Sequence, residues 1–341
     1  MLEARDLAGL NRHLEGLGAR APQARRLLGA WLTGAPLAGA HGAQGPQPSR
    51  ALLGRLQELQ EDLDGLVREL ERHPAEDGSA RLLLALRSGA TVEAVALPRE
   101  GVCVSSQVGC AVGCRFCKTG ESGLLQQLTS LELLAQVAHV RRARAVRRVV
   151  FMGMGEPAHN LGAVLDAITA LGTHARLPHK NLVLSTVGEP AVFERLLANP
   201  VRPALALSLH TLDDALRAEL LPRAPRVGVE ALLDAALDYA DRTTYPLLVQ
   251  WTVLAGTNDG VDQARALGER LAGRRAIVNF IPFNAVEGNG WSRPPIERCV
   301  VLVRAVRACG TLATLRRSAG QAVDGGCGQL RARALAARHQ A

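Results

Sequence analysis

The chain has 341 residues, 48% of them hydrophobic and 3% aromatic, and a formal net charge of +8. That is enough apolar material for one sizeable core with a small appended domain, and no apolar run of about 18 residues offers a membrane span. A basic balance suits a polyanionic partner such as RNA. The opening Met1-Leu-Glu-Ala-Arg-Asp6 reads as no signal peptide. Seven cysteines in a chain of this size fit metal ligation or catalysis in a reducing cytoplasm better than a disulfide framework.

Residues 1 to about 75 read as helices. Leu7, Leu10, Leu14 and Leu17 recur at helical spacing, and Gln23 to Leu32 continues it. Gly34 to Pro48 is a Gly/Pro/Ala-rich loop. Leu52, Leu56, Leu59, Leu63, Leu66 and Leu70 then predict one long amphipathic helix. This helical accessory domain either docks RNA or caps its neighbour. Ser79 to Leu97 reads as a β-hairpin around Arg87-Ser-Gly-Ala90, with Glu93 on the face opposite Val92. Lone strand glutamates are usually solvated.

From Cys103 onward, short apolar strands alternate with helical segments. Strands are expected near 102–106, 149–152, 182–186, 204–209, 247–254 and 277–282. Helices are expected near 130–144, 161–171, 213–221, 229–241, 260–271 and 297–309. Such alternation predicts an α/β fold with a parallel sheet, and six strands suggest an open (β/α)6 barrel. Thr311 to Leu315 reads as one more strand, and the basic Arg331 to Ala341 as a helix or tail.

Five strand ends run into polar or glycine-rich residues: Met152 to Pro157, Ser185 to Gly188, Ser208 to His210, Gly256 to Asp259 and Pro282 to Asn284. In barrels of this kind the C-terminal strand ends carry the chemistry. Gly153 and Gly155 let the backbone approach a ligand. Glu156 suits an ammonium group, Ser185 a carboxylate, and Asn258 an adenosine or methionine edge. Taken singly, each is more often turn chemistry or a satisfied polar group, and His210 has a structural reading too. Cys299 and Cys309, in a helical segment with apolar neighbours, are expected in the core. The run Arg141, Arg142, Arg144, Arg147 and Arg148 is either an RNA contact or a solvated helix face.

The first loop holds Cys110, Cys114 and Cys117 at C-x-x-x-C-x-x-C spacing, beside Phe116. Three thiolates can hold three irons of a cubic iron–sulfur cluster and leave the fourth open to a small molecule. Ferredoxin clusters and structural zinc sites normally take four protein ligands. Incidental cysteines and zinc are the bland alternatives.

This spacing resembles the radical S-adenosylmethionine (SAM) superfamily. The wider pattern resembles its RNA adenine methyltransferases, which act on 23S rRNA and on tRNA. The match runs from about Asp77 to Leu330. It includes Cys103-Val-Ser-Ser-Gln-Val-Gly-Cys110, Phe151-Met-Gly-Met-Gly-Glu-Pro157, Leu184-Ser-Thr186, Leu207-Ser-Leu-His210, Asn258-Asp259, Val278-Asn-Phe-Ile-Pro282 and Cys327-Gly-Gln-Leu330. The resemblance implies a partial (β/α)6 radical SAM barrel at 99–318, after a helical, RNA-binding domain at 1–76 and a β-hairpin at 77–98. A catalytic-cysteine loop and basic tail follow at 319–341. It implies a [4Fe-4S] cluster on Cys110, Cys114 and Cys117, and a SAM site lined by Gly155, Glu156, Ser185, Ser208, Leu209, His210 and Asn258. Cys327 would carry a methyl group, Glu93 would accept the adenine ring proton, and Cys103 would resolve the protein–RNA adduct by forming a disulfide with Cys327.

The implied protein is a cytoplasmic monomer, away from membranes, that methylates adenine C2 and takes electrons from a donor such as flavodoxin. The relatives that methylate C8 and confer antibiotic resistance share these motifs. A radical SAM enzyme with a non-RNA substrate would have no need of the Cys103–Cys327 pair, and the intact triad disfavours a non-catalytic RNA-binding factor. The chain departs from the family's usual pattern at Gln126-Gln-Leu-Thr129, Gln250-Trp251 and Asp324-Gly-Gly326.

Overall fold

The computed structural model describes residues 6–40, 47–285, 290–316 and 328–340, the side chains of 337–340 excepted. Three helices, α1 (Leu7–Gly16), α2 (Ala21–Thr33) and α3 (Arg50–Asp64), lead into an antiparallel meander of β1 (Val67–Pro74), β2 (Ala80–Leu86) and β3 (Thr91–Leu97). The meander continues into β4 (Gly101–Val104), which turns the sheet parallel. The cysteine loop carries β5 (Gln107–Gly109), α4 (Lys118–Glu121) and β6 (Leu124–Gln127). Then come α5 (Ser130–Ala143), β7 (Arg148–Phe151), α6 (Leu161–Thr173), β8 (Leu182–Thr186), α7 (Pro190–Ala198) and β9 (Ala204–Ser208). The chain finishes with α8 (Asp214–Leu220), α9 (Val229–Thr243), β10 (Leu247–Val253), α10 (Val261–Arg270), β11 (Ala276–Pro282), α11 (Ile296–Ala308), β12 (Leu312–Leu315) and α12 (Gln329–Gln340).

Ten strands form one sheet in the order β1-β2-β3-β4-β7-β8-β9-β10-β11-β12, parallel from β4 onward. β1 and β12 are its edges, so the barrel is open, as the six expected strands and the extra one at 311–315 imply. Its wall nevertheless curves round: Nη1 of Arg316, just past β12, lies 3.9 Å from Sδ of Met152, just past β7. Apolar side chains such as Val149, Leu184, Leu207, Val249 and Val278 join the outer core under the helices. The alternating set faces inward. Gln250 stands in register with Ser208 and Asn279, and Asn279 with Thr314, making a polar row across four strands.

Several elements differ from expectation, among them the short β5, α4 and β6 of the cysteine loop. The leucine spacing predicts a helix through Leu70, yet α3 ends at Asp64 and β1 begins at Val67. Pairing with β2 wins over helical periodicity, and Leu70 falls at a register shift between Glu69 and Glu71. The expected set also lacks α7, where Pro190 opens a helix whose Val192, Phe193, Leu196 and Leu197 are buried.

The N-terminal helices share a continuous core with the barrel. Leu7 N–H donates to Ser130 Oγ at 3.1 Å, and Arg141 Nη1 to the Leu32 carbonyl at 2.8 Å. Their apolar faces therefore cap α5. Cys299 is a core residue as expected, whereas Cys309 is half-buried at the end of α11. Among the described residues, no helix is long and apolar enough to cross a membrane.

Candidate active site

A cavity of about 1010 Å³ fills the barrel. Cys110, Cys114 and Cys117 line its rim, and Cys103, Glu93, Gly155, Glu156, Ser185, Ser208 and His210 line its wall. Two of the expected residues stand behind that wall. Leu209 is buried in the apolar core. Asn258 spends its amide on the backbone: Oδ1 accepts from Leu254 N–H at 2.7 Å, and Nδ2 donates to the His210 and Thr252 carbonyls at 2.8 Å each. The loop at Gly256–Asp259 is thereby folded away from the cavity, while the other four strand ends reach it.

The run after Cys103 is a set of joints. Ser105 Oγ donates to the Glu93 carbonyl at 2.5 Å and accepts from Met154 N–H at 2.8 Å, tying the hairpin, β4 and the glycine-rich loop together. Gln107 Oε1 accepts from Glu156 N–H at 2.7 Å, and its Nε2 donates to Gln127 Oε1 at 2.9 Å. Gly155 lies against this joint with φ +97°, and a Cβ there would fall 2.6 Å from that of Gln107. Its glycine identity thus serves loop packing as well as access.

Burial pushes the Glu156 carboxyl above its ordinary value, opposed by the Thr186 hydroxyl and by the N–H groups of Ala158 and Val187, each at 3.0 Å. His210, at φ +68°, packs edge-on against Phe116 with ring centroids 4.9 Å apart. Burial first, then the charge of Arg217, pushes its pKa down to about 3. Thr252 N–H donates to Nδ1 at 3.0 Å, so the neutral ring carries its proton on Nε2.

Glu93 sits where the hairpin meets the cysteine strand. Cys103 pairs with Val95, one pleat along β3, and both Glu93 and Cys103 face the cavity. Glu93 Oε2 takes Arg81 Nη1 at 3.1 Å and Gly328 N–H at 3.1 Å, while Oε1 takes Arg331 N–H at 2.8 Å. The carboxylate thus caps α12. Gly328, at φ +87°, lies so close to the cysteine loop that a Cβ would fall 2.5 Å from Thr119 Oγ1. Cys327 lies outside the described residues, and so does any disulfide it forms; the chain beside it is pinned between Glu93 and the residues after Cys117. Burial raises the Cys103 thiol's pKa, and the charge of Arg316 acts against that shift.

Comparison with known proteins places this geometry. The radical SAM superfamily model matches residues 104–263. A chain of Methylibium petroleiphilum named as a probable RNA methyltransferase is 54% identical over 326 residues, covering 96% of this chain and 92% of that one. The chain belongs to the radical SAM superfamily. A similarly named chain of Pseudomonas aeruginosa is 51% identical over 327 residues, with 95% and 94% covered. The crystal structure of a radical SAM methyltransferase from Sphaerobacter thermophilus superposes with a TM-score of 0.80 at 30% identity, over 95% of this chain and 97% of that one.

Radical SAM membership implies a [4Fe-4S] cluster and SAM, and the donor set fits. Burial pushes all three thiols up, Cys110 to about 12, and at Cys114 the charges of Cys117 and Cys110 add to it. Burial and mutual repulsion disfavour three thiolates here, and a compensating cation favours them. Among the described residues no three His, Cys, Asp or Glu converge on a single ion. A cluster whose irons take one thiolate each suits three cysteines better than a lone zinc. Buried Gln250 Oε1, on the cavity wall, has no hydrogen-bond partner among the described residues and is available to a ligand.

Sequence reasoning missed two cations of this site. Arg217 is buried, donates to the Val187 carbonyl at 2.5 Å and lies close enough to Cys114 for their charges to interact. Nothing in the sequence of α8 marks it. Arg81 was legible: hairpin register sets it diagonal to Glu93 on one face, within reach of a long side chain.

Proposed function

We propose that this radical SAM enzyme methylates RNA, at the C2 carbon of an adenine in 23S rRNA and/or tRNA, through a methylated Cys327. The observation that carries the reading is the seating of Gly328 between Glu93 and Thr119, which tethers the C-terminal cysteine segment beside the triad. Similarity to chains named as RNA methyltransferases supports the RNA substrate.

Adenine C2 is an electron-poor ring carbon and a weak nucleophile, whereas a thiolate is a strong one. In this scheme Cys327 takes the methyl of one SAM and becomes a thioether, with S-adenosylhomocysteine as the leaving group. Cys110, Cys114 and Cys117 would hold the cluster, which would supply the electron that splits a second SAM and so start hydrogen removal from the methyl on Cys327. The Cys327 carbon then bonds to the ring, Glu93 takes the ring proton, and the unpaired electron left on the ring leaves to a one-electron acceptor, a role the oxidised cluster would fill. Burial raises the Glu93 pKa, in the direction a base working near neutral pH needs. Cys103 attacks the Cys327 sulfur, the carbon–sulfur bond breaks with its electron pair on the carbon, that carbon takes a proton to give methyladenosine, and the resulting disulfide returns to thiols at the expense of an external two-electron donor.

The test is nucleoside analysis of RNA from a deletion strain, where loss of 2-methyladenosine is expected. Loss of 8-methyladenosine would move the chemistry to C8, and an unchanged profile would overturn the reading. Cys103→Ala protein isolated from cells should be joined to RNA through Cys327, and Cys327→Ala protein should not. Normal turnover by Cys103→Ala would remove the resolving role.

A further inference from the structure

We infer that Arg99, Arg148 and Arg316 form a phosphate subsite in the barrel cavity that grips the RNA backbone beside the target nucleotide. The inference rests on the RNA reading above and adds to it where the polyanion is held.

The run from Arg141 to Arg148 is less uniform than its sequence suggests. Arg141 donates to the Leu32 and Val146 carbonyls, Arg142 is paired with Asp64, Arg144 donates to the Gly78 carbonyl at 3.2 Å, and Arg147 pairs with Glu100 at 2.7 Å. These four hold the fold together. Arg148 alone lines the cavity, and it has no acidic partner among the described residues.

Two more guanidiniums share that wall. Arg99 occupies the turn between β3 and β4, where it and Glu100 have φ of +54° and +59°. Two successive non-glycine residues in the left-handed region are costly, and such strain tends to persist where function needs it. The turn is fixed from behind, because the Glu100 carbonyl accepts from Arg147 and Arg148 N–H at 2.7 and 3.2 Å. Arg316 follows β12 and reaches across to Met152. Burial, then the charges of Arg316 and Arg99, pushes the Arg148 guanidinium below its ordinary value, so the three cations feel one another.

The carboxylates that share the cavity are engaged elsewhere: Glu93 with Arg81 and α12, Glu156 with Ala158 and Val187, Asp77 with Ser79. Three like charges gathered with no counter-charge among the described residues are unfavourable alone and favourable around an anion. Guanidinium forks suit phosphate oxygens in particular. The depth is also right. Val150 pairs with Cys103, and Arg148 begins β7 two residues earlier, about 7 Å along the strand. A ribose bridges that kind of distance between its base and its phosphate.

The test uses the full-length protein, a fluorescently labelled single-stranded RNA containing the target adenosine, and anisotropy at several KCl concentrations. Arg148→Gln and Arg99→Gln should each bind several-fold more weakly at low salt. Each lost phosphate contact should reduce the slope of log K against log salt by about 0.7. Arg242→Gln, the same charge change on the exposed face of α9, should leave slope and affinity alone. SAM affinity should be equal in all four proteins. Wild-type affinity and slope in both cavity variants would overturn the subsite and spare the RNA reading. A wild-type protein without RNA affinity would overturn both. Displacement of RNA by AMP at comparable concentration would assign the site to free nucleotides and end the backbone proposal.

Discussion

Replacing Glu93 with alanine tests whether the carboxylate is an anchor as well as the proposed base. In the folded chain it is 2% exposed and holds Arg81, Gly328 N–H and Arg331 N–H at once. Breaking a buried ion pair by removing one partner costs about 3–5 kcal/mol. Each hydrogen bond from a backbone N–H to an ionised acceptor is worth about 1.5–3 kcal/mol. These share one group and are not additive, so roughly 3–5 kcal/mol is expected for Glu93→Ala. Glu93→Gln keeps an acceptor oxygen and should cost about 1.5–3 kcal/mol. Urea unfolding reads the global loss. Hydrogen exchange reads the local one, as faster exchange at Gly328 and Arg331. Burial raises the Glu93 pKa above its ordinary 4.5, so between 4.5 and the folded value the folded chain holds a proton that the unfolded chain releases, and above that window the carboxylate is ionised. The associated stability is therefore complete below pH 4.5 and is lost as pH rises through the folded value. The gap between wild type and Glu93→Gln should shrink in that direction. If Glu93→Ala abolished methylation with unchanged exchange at 328–336 and unchanged unfolding, the anchoring argument would be refuted.

Three further outcomes are expected. Cys114→Ala should abolish the oxygen-sensitive iron–sulfur absorbance of anaerobically reconstituted protein; stoichiometric zinc without iron in native anaerobic protein would sink the radical reading. Gly328→Ala, with φ +87° and a Cβ 2.5 Å from Thr119 Oγ1, should displace α12 by forcing strain of about 1–3 kcal/mol, losing methylation while keeping cluster absorbance; full activity would contradict the seating. His210, pushed down to about 3, should show the nitrogen chemical shifts of a neutral ring at pH 5. Its stabilising effect should be present above its ordinary 6.5 and fade as pH falls toward 3, and an imidazolium signal at pH 5 would reverse the argument from burial.

The barrel was legible because each inner strand is a short apolar run ended by polar residues, and the rim because cysteine spacing is local. What stayed hidden depends on contacts between distant segments. The leucines of α3 keep helical spacing past Asp64, so only pairing with β2 reveals β1. Asn258 has the donor and acceptor of a ligand-binding residue, and a chain fold 48 positions away, at the His210 carbonyl, claims one of them. The arginines at 141–148 look alike as letters and differ only in the partners that packing gives them.

The contact between Gly328 and Glu93 joins residues 235 positions apart. At ribosomal rates of about 5–20 residues per second, Gly328 is added some 10–50 s after Glu93. Through that interval the hairpin, the cysteine loop and all the inner strands emerge, and the carboxylate waits without two of its three partners. The anchor of α12 is thus seated late, and a nascent or prematurely ended protein can complete its barrel without ever seating the segment proposed to carry the methylated thiol.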